Sequence, residues 1–197
     1  MHPVFATNRV DLIIFQTAVI IWAMPELISS IVQNKIVGAR TPDRGSRLVL
    51  GLGMYAGIFF GVQTAFLVPQ LAIGANRTLL FGIGIAMMLA GIAFRWYSIS
   101  VLGKFFTRTV TIQPEQPVIE RGPYRYIRHP SYTGAMLTFI GFGLTLTNWL
   151  SLGLVLSGLV IGYGYRVLVE ERVLREGLGQ PYEAYMLRTK RFIPFLF

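Results

Sequence analysis

Cysteine is absent from this chain, which excludes disulfides, thiolate metal sites and a cysteine nucleophile. Histidine is nearly absent. His2 and His129 are too few and too far apart in sequence for a His-rich cluster. A mixed His/carboxylate site stays open, but no helical ligand spacing suggests one, and no metal is expected. Charge is scarce too: 14% of the 197 residues are charged and 53% are hydrophobic, where a soluble domain carries about 25% charged residues. The apolar residues fall in blocks, so the fold class read from them is an all-α, polytopic membrane protein. Acidic residues are the scarcer sign, leaving a net charge of +9. Nucleic-acid binding is one reading of such a charge. Basic residues of a membrane protein, however, collect on cytoplasmic loops and meet anionic lipid, so membrane lipids and no nucleic acid are the expected partners. Met1–Arg9 runs straight into an apolar stretch too long for a signal core and without a small-residue cleavage site, so no cleavable signal is expected.

Crossing the hydrocarbon core takes about 20 apolar residues. Candidate spans are Val10–Ile31, Leu48–Val68, Leu79–Trp96 (running on toward Leu102), Tyr132–Thr147 and Leu150–Leu168. The last two form a helical hairpin around Asn148 and Trp149. Its arms are short enough to need little tilt or a locally thinned bilayer, and a re-entrant hairpin is the alternative. With five spans, sixteen of the 18 Lys and Arg fall on one face and two on the other. That split places the N-terminus outside and the C-terminus in the cytoplasm, and a re-entrant hairpin leaves the assignment unchanged. Gly53, Gly57 and Gly61 recur every fourth residue, which lines one helical face for close approach by another helix. Gly51-Leu52-Gly53 has no strand before it and is not a dinucleotide loop.

The stretch between the third and fourth spans differs in character. Thr107–Ile112 alternates like a short strand, and Pro114, Pro117, Gly122 and Pro123 break any helix. Beyond the fifth span, Arg166–Glu176 continues as helix, Gly177 and Gly179 end it, and Pro181 opens a last helix over Pro181–Lys190. The tail Phe192–Phe197 is apolar and suits the membrane surface or the cover of a pocket. The expected division is a three-helix membrane region over 1–105 and a catalytic region over 106–197, with a cofactor loop, the hairpin and cytoplasmic C-terminal helices.

Polar residues concentrate at Arg121–Tyr132, Arg166–Glu171 and Tyr182–Arg191. A hairpin with both ends at one surface brings the first two together, and a returning helix covers them, as a small-molecule site requires. Arg166 and Glu170 share a helix face and can pair; an exposed salt bridge at a helix end is the plain alternative. His129-Pro130 reads equally as an interfacial His before a Pro that opens a helix. Glu26, where a charge is expensive, reads either as a functional residue or as one that pairs with Arg47 or snorkels. Arg95 and Trp96 read as interfacial anchors. Tyr124, Tyr126, Tyr182 and Tyr185 suit either a headgroup-level belt or a pocket lining.

The string Gly122-Pro123-Tyr124-Arg125-Tyr126-Ile127-Arg128-His129-Pro130-Ser131-Tyr132-Thr133-Gly134 resembles the signature of the isoprenylcysteine carboxyl methyltransferase family and the related phospholipid methyltransferases. A second stretch, Glu170-Glu171 through Leu174, Leu178-Gly179, Tyr182, Tyr185, Arg188, Arg191 and Pro194, resembles that family's second motif. Leu178 stands where an aromatic is common. The two motifs cover roughly the last 90 residues; the first three spans show only hydropathy.

The resemblance implies a membrane enzyme that takes methyl groups from S-adenosylmethionine without a Rossmann domain. It implies a cofactor site made by Tyr124, Arg128, His129, Pro130, Tyr132, Gly134, Tyr182 and Tyr185. In it, Glu170 and Glu171 would hold cofactor polar groups, and Arg166 would stand at the methyl acceptor. Arg166, Glu170 and Glu171 are thus the expected catalytic residues. The expected acceptor is lipophilic, a small molecule or a prenylated chain arriving from the bilayer. A carboxylate acceptor needs no base and suits the fork of Arg166; an amine would require Glu170 or Glu171 as base. Membrane sterol reductases resemble the hairpin too and would use NADPH, and a non-catalytic binding subunit is the remaining alternative.

Overall fold

The computed structural model describes residues 1–34, 45–74 and 76–194, with the side chains of 32–34 left aside. The loop cations Lys35, Arg40 and Arg44, and the last three residues of the apolar tail, lie outside the described residues. Among the described residues six α-helices carry the architecture: α1 (Arg9–Asn34), α2 (Ser46–Leu67), α3 (Arg77–Leu102), α4 (Pro130–Thr145), α5 (Trp149–Leu178) and α6 (Gln180–Arg188). Local chemistry sets their ends. Asn8 accepts from the Asp11 amide at 2.8 Å to start α1, and Pro130 occupies the first turn of α4, where no N–H is needed. The Asn148 side chain accepts from the Ser151 amide at 3.1 Å to cap α5. Gly179 stops α5 at φ 60°, a backbone region glycine enters without strain.

α1, α2, α3 and α5 are long and apolar enough to cross a membrane; the chain is an integral membrane protein. α4 is shorter, at 16 residues, about 24 Å at the helical rise. Most of its residues are buried, because it packs along α3 while α5 packs along α2. Leu146–Asn148 turns the chain, and α4 and α5 run antiparallel, with Gly143 against Leu152 near the turn. α5 is one continuous helix of 30 residues, so the fifth apolar run and the polar turn after it form a single rod.

Small residues bring these helices together. Gly53 and Gly57 of α2 face the backbone of α5 at Leu154, Gly158 and Gly162, and Gly61 faces Ser151 and Val155. This is the contact face that the four-residue spacing implies. A second set escapes that pattern: Gly84 and Gly91 of α3 meet Gly141 and Gly134 of α4, seven residues apart on each helix. Thr107–Ile112 does not form a strand. It finds no partner strand, and only isolated bridges occur among the described residues.

The two ends of the bundle differ. At one end, the N-terminus, the 69–77 connection and the α4–α5 turn are tied together. Asn148 donates to the Val68 carbonyl at 2.9 Å, and Arg77 donates to the Thr147 hydroxyl at 3.2 Å. At the other end, residues 121–131 meet 166–191.

A Cβ at Gly91 would lie 2.5 Å from the Gly134 carbonyl oxygen, whereas one at Gly82 meets nothing within 4 Å. Gly91→Val is therefore expected to destabilise the bundle by about 1–3 kcal/mol through overpacking, read as a lowered Tm in detergent. Gly82→Ala should leave Tm unchanged or slightly raised.

Candidate active site

The antiparallel return of α5 sets the N-terminal turn of α4 beside the polar turn of α5. His129, the residue before Pro130, is buried, and its Nε2 lies 3.3 Å from Glu171 Oε1. One turn on, the Tyr132 hydroxyl donates to Glu170 Oε2 and accepts from Arg166 Nε at 3.2 Å. Arg166 is 3% exposed, and it also donates to Ser46 Oγ at 2.8 Å and to the Arg108 carbonyl at 2.5 Å. The link between Arg166 and Glu170 thus runs through Tyr132.

Glu171 has different work. Arg128 Nε donates to its Oε1 at 2.9 Å, and Arg191 Nη2 donates to its Oε2 at 2.7 Å. Arg128 also donates through Nη1 to the Met186 and Thr189 carbonyls. Beside this cluster the 126–129 backbone pairs with 190–191: Arg128 N–H donates to the Lys190 carbonyl at 2.7 Å, and His129 N–H to the Arg191 carbonyl at 3.0 Å. The Tyr185 hydroxyl donates to the Tyr124 carbonyl at 2.7 Å. The chain end is thereby fastened over the His129 loop.

Between these elements lies a partly open cavity of about 100 Å³. Tyr124, Arg128, His129, Tyr132, Arg166, Glu170, Tyr182 and Tyr185 all line it. Three expected site residues lie elsewhere. Glu171 is turned away into its guanidinium cluster, because adjacent residues on a helix point about 100° apart. Pro130 is buried in the first turn of α4. Gly134 faces α3, where a Cβ would lie 2.6 Å from the Arg95 amide nitrogen. It is a packing glycine.

The remaining wall comes from residues that sequence reasoning missed. Thr107, Thr109, Val110 and Thr111 line it, with Val118 and Ile119 beyond. Residues 109–111 line it consecutively, so the period-two alternation of this stretch gave no signal for them. Two further expectations need correction. Glu26 is held by Arg95 Nε at 2.6 Å and Arg108 Nη2 at 2.5 Å, while Arg47 donates to Ser30. Arg95 is a largely buried partner of Glu26 and of the Ser131 carbonyl, at 3.2 Å, and is not an interfacial anchor.

Among the described residues, the hydroxyls of Tyr124 and Tyr182 are buried with no hydrogen-bond partner. Burial, reinforced by the Glu171 and Glu170 carboxylates, raises the Tyr182 phenol well above its ordinary ionisation range. It stays a neutral donor near the cavity.

Comparison with known proteins bears on this geometry. Residues 84–176 match the isoprenylcysteine carboxyl methyltransferase family. The matched segment contains the His129 loop, α4 and α5 through Glu171. A probable protein-S-isoprenylcysteine O-methyltransferase of Oryza sativa subsp. indica is 29% identical over 116 residues, covering 58% of this chain and 61% of the relative. The Saccharomyces cerevisiae protein-S-isoprenylcysteine O-methyltransferase is 30% identical over 137 residues, covering 67% of this chain and 57% of that protein. The chain thus spans about three fifths of the length of these relatives. A solved eukaryotic intramembrane Ras methyltransferase superposes with a TM-score of 0.63 at 24% identity, over 94% of this chain and 67% of that one, and shares the fold.

Glu171→Gln removes the charge that gathers Arg128, His129 and Arg191. Amide exchange at Arg128, His129 and Lys190 is expected to speed up about tenfold or more as the chain end opens locally, while the α2 and α5 amides keep their protection. Hydrogen exchange by mass spectrometry measures both.

Proposed function

We propose that the protein is an integral membrane methyltransferase that uses S-adenosylmethionine and acts on a lipophilic acceptor, a carboxylate as in isoprenylcysteine O-methylation. One observation carries this reading: Arg166, Tyr132 and Glu170 from the two motif regions stand on a single cavity with partnerless phenols beside it.

The residues present suit the cofactor. Glu170, the one carboxylate on the cavity among the described residues, offers an acceptor for its ammonium group. Tyr124 and Tyr182 offer hydroxyl groups for its ribose, and Leu102, Leu174 and Leu178 offer an apolar face for its base. When bound, S-adenosylmethionine supplies an electrophilic methyl group on a sulfonium. The chain's own work is then to orient an acceptor in line and to exclude water. Arg166, already fixed by Ser46 and the Arg108 carbonyl, holds a carboxylate acceptor. Such an acceptor is ionised near pH 7 and needs no base. An amine acceptor would depend on Glu170, whose Oε2 is engaged by Tyr132. Among the site residues expected from the motifs, Glu171, Pro130 and Gly134 then act at one remove, by placing the His129 loop. The matched family and the named relatives are methyltransferases, which favours this reading over an NADPH reductase.

A cytoplasmic site with the N-terminus outside follows from the bias of basic residues, and α4 serves as a fifth crossing in a thinned stretch of bilayer. The cofactor then reaches the cavity from water and the acceptor, small or prenylated, from the lipid. Residues 106–197 carry the reacting groups, and 1–105 brace them.

Calorimetry on the purified protein should show binding of S-adenosylhomocysteine and none of NADPH; the reverse result overturns the reading. Arg166→Ala is expected to lower acceptor turnover by about 10²-fold, the usual loss when a positioned donor is removed, with S-adenosylhomocysteine affinity nearly kept. Equal losses in both would remove Arg166 from the acceptor. Mass spectrometry of lipid extracts incubated with isotope-labelled cofactor identifies the product.

A further inference from the structure

We propose that Glu26, in the first helix and outside the family-matched segment, is a positioning residue that holds Arg166 and one wall of the cavity in place through Arg108.

A carboxylate within an apolar span is expensive unless it is paired. Glu26 has two guanidinium partners, and each leads to the site. Arg108 lies along one face of α1, giving Nη2 to Glu26 Oε2 at 2.5 Å and Nε to Ser29 Oγ at 3.0 Å. Its carbonyl receives Arg166 Nη2 at 2.5 Å. Its neighbours Thr107 and Thr109 line the cavity, and the Thr107 hydroxyl closes that turn on the Thr109 carbonyl at 2.8 Å. The side chain of Arg108 therefore anchors outward on α1 while its backbone faces the site. On the second route, Arg95 gives Nε and Nη2 to Glu26 at 2.6 and 3.2 Å and Nη1 to the Ser131 carbonyl at 3.2 Å. Ser131 precedes Tyr132, the residue between Arg166 and Glu170. One carboxylate thus steadies both sides of the Arg166–Tyr132 contact. A merely structural tether of α1 would need only one of these pairs and no contact with the cavity wall.

The effect on turnover rests on the methyl-transfer reading; the placement of the wall does not. The test uses the whole 197-residue chain, which holds no cysteine, with Thr109→Cys as the single reporter. Maleimide labelling is compared in the parent, Glu26→Gln and Arg108→Met. Arg108→Met leaves the Glu26–Arg95 pair intact, so it remains informative if Glu26→Gln fails to fold. Both are expected to label about tenfold faster. In the same two substitutions without the reporter, acceptor kcat should fall about tenfold or more, since displacement by an ångström costs on that order. S-adenosylhomocysteine Kd should stay within about twofold, and Glu26→Asp should recover part of the kcat. Unchanged labelling in a folded Arg108→Met protein overturns the proposal, as does a kcat loss matched by an equal loss of affinity. If the parent binds no S-adenosylhomocysteine, the methyl-transfer reading fails, and the labelling comparison still decides the role of Glu26.

Discussion

The carboxylate of Glu171 lies buried in α5 with both oxygens engaged, one by Arg128 from the loop before α4 and the other by Arg191 from the chain end. His129 Nε2 stands against the same group. Three stretches far apart in sequence are thereby held at one point, and the cavity is the space that this gathering leaves. A buried ion pair such as Glu171–Arg128 adds little net stability over well-packed apolar residues, but losing one partner is costly, about 3–5 kcal/mol. Such a cluster therefore serves geometry better than stability. It permits one arrangement of the His129 loop and penalises the others.

A second cluster, Glu26 with Arg95 and Arg108, works in the same way on the other side of the cavity. The two are joined by a run of contacts from Arg108 through Arg166 and Tyr132 to Glu170, the neighbour of Glu171. The apolar helices around them have a simpler task. Gly–Gly contacts between α3 and α4, and glycine-lined contact between α2 and α5, hold those pairs at close backbone distance. Rigid packing of that kind keeps the polar run from relaxing into alternative pairings.

Much of this was legible in the sequence, for identifiable reasons. The meeting of residues 129–132 with 166–171 follows from a short polar turn between two apolar runs, which fixes an antiparallel return. The α2 contact face follows from Gly53, Gly57 and Gly61. Gly134 shows where motif reading fails. It sits in the same string as His129, yet helical rotation turns it to α3, and its partner Gly91 is visible only when a seven-residue spacing is sought on two helices at once. The Glu170-Glu171 pair shows the same limit, since the two side chains leave the helix about 100° apart and only Glu170 lines the cavity. The partners of Glu26 were illegible in principle. They lie 69 and 82 residues away, and no local pattern distinguishes Arg95 and Arg108 from Arg47 as its counter-ion.

The depth of the site follows from helix length. Glu170 lies 21 residues beyond the start of α5, about 32 Å along the helix, close to the thickness of a bilayer's hydrocarbon core of about 30 Å. In the membrane placement proposed above, a helix entering at Trp149 brings Glu170 to the opposite boundary, where water and lipid both reach a side chain. α4 is too short to cover that distance alone, so the His129 loop reaches down to meet α5 and draws the polar 103–129 connection with it. The short fourth helix is what makes room for a polar cavity at the edge of the apolar core, and it makes the cavity wall depend on anchors such as Arg108 on α1.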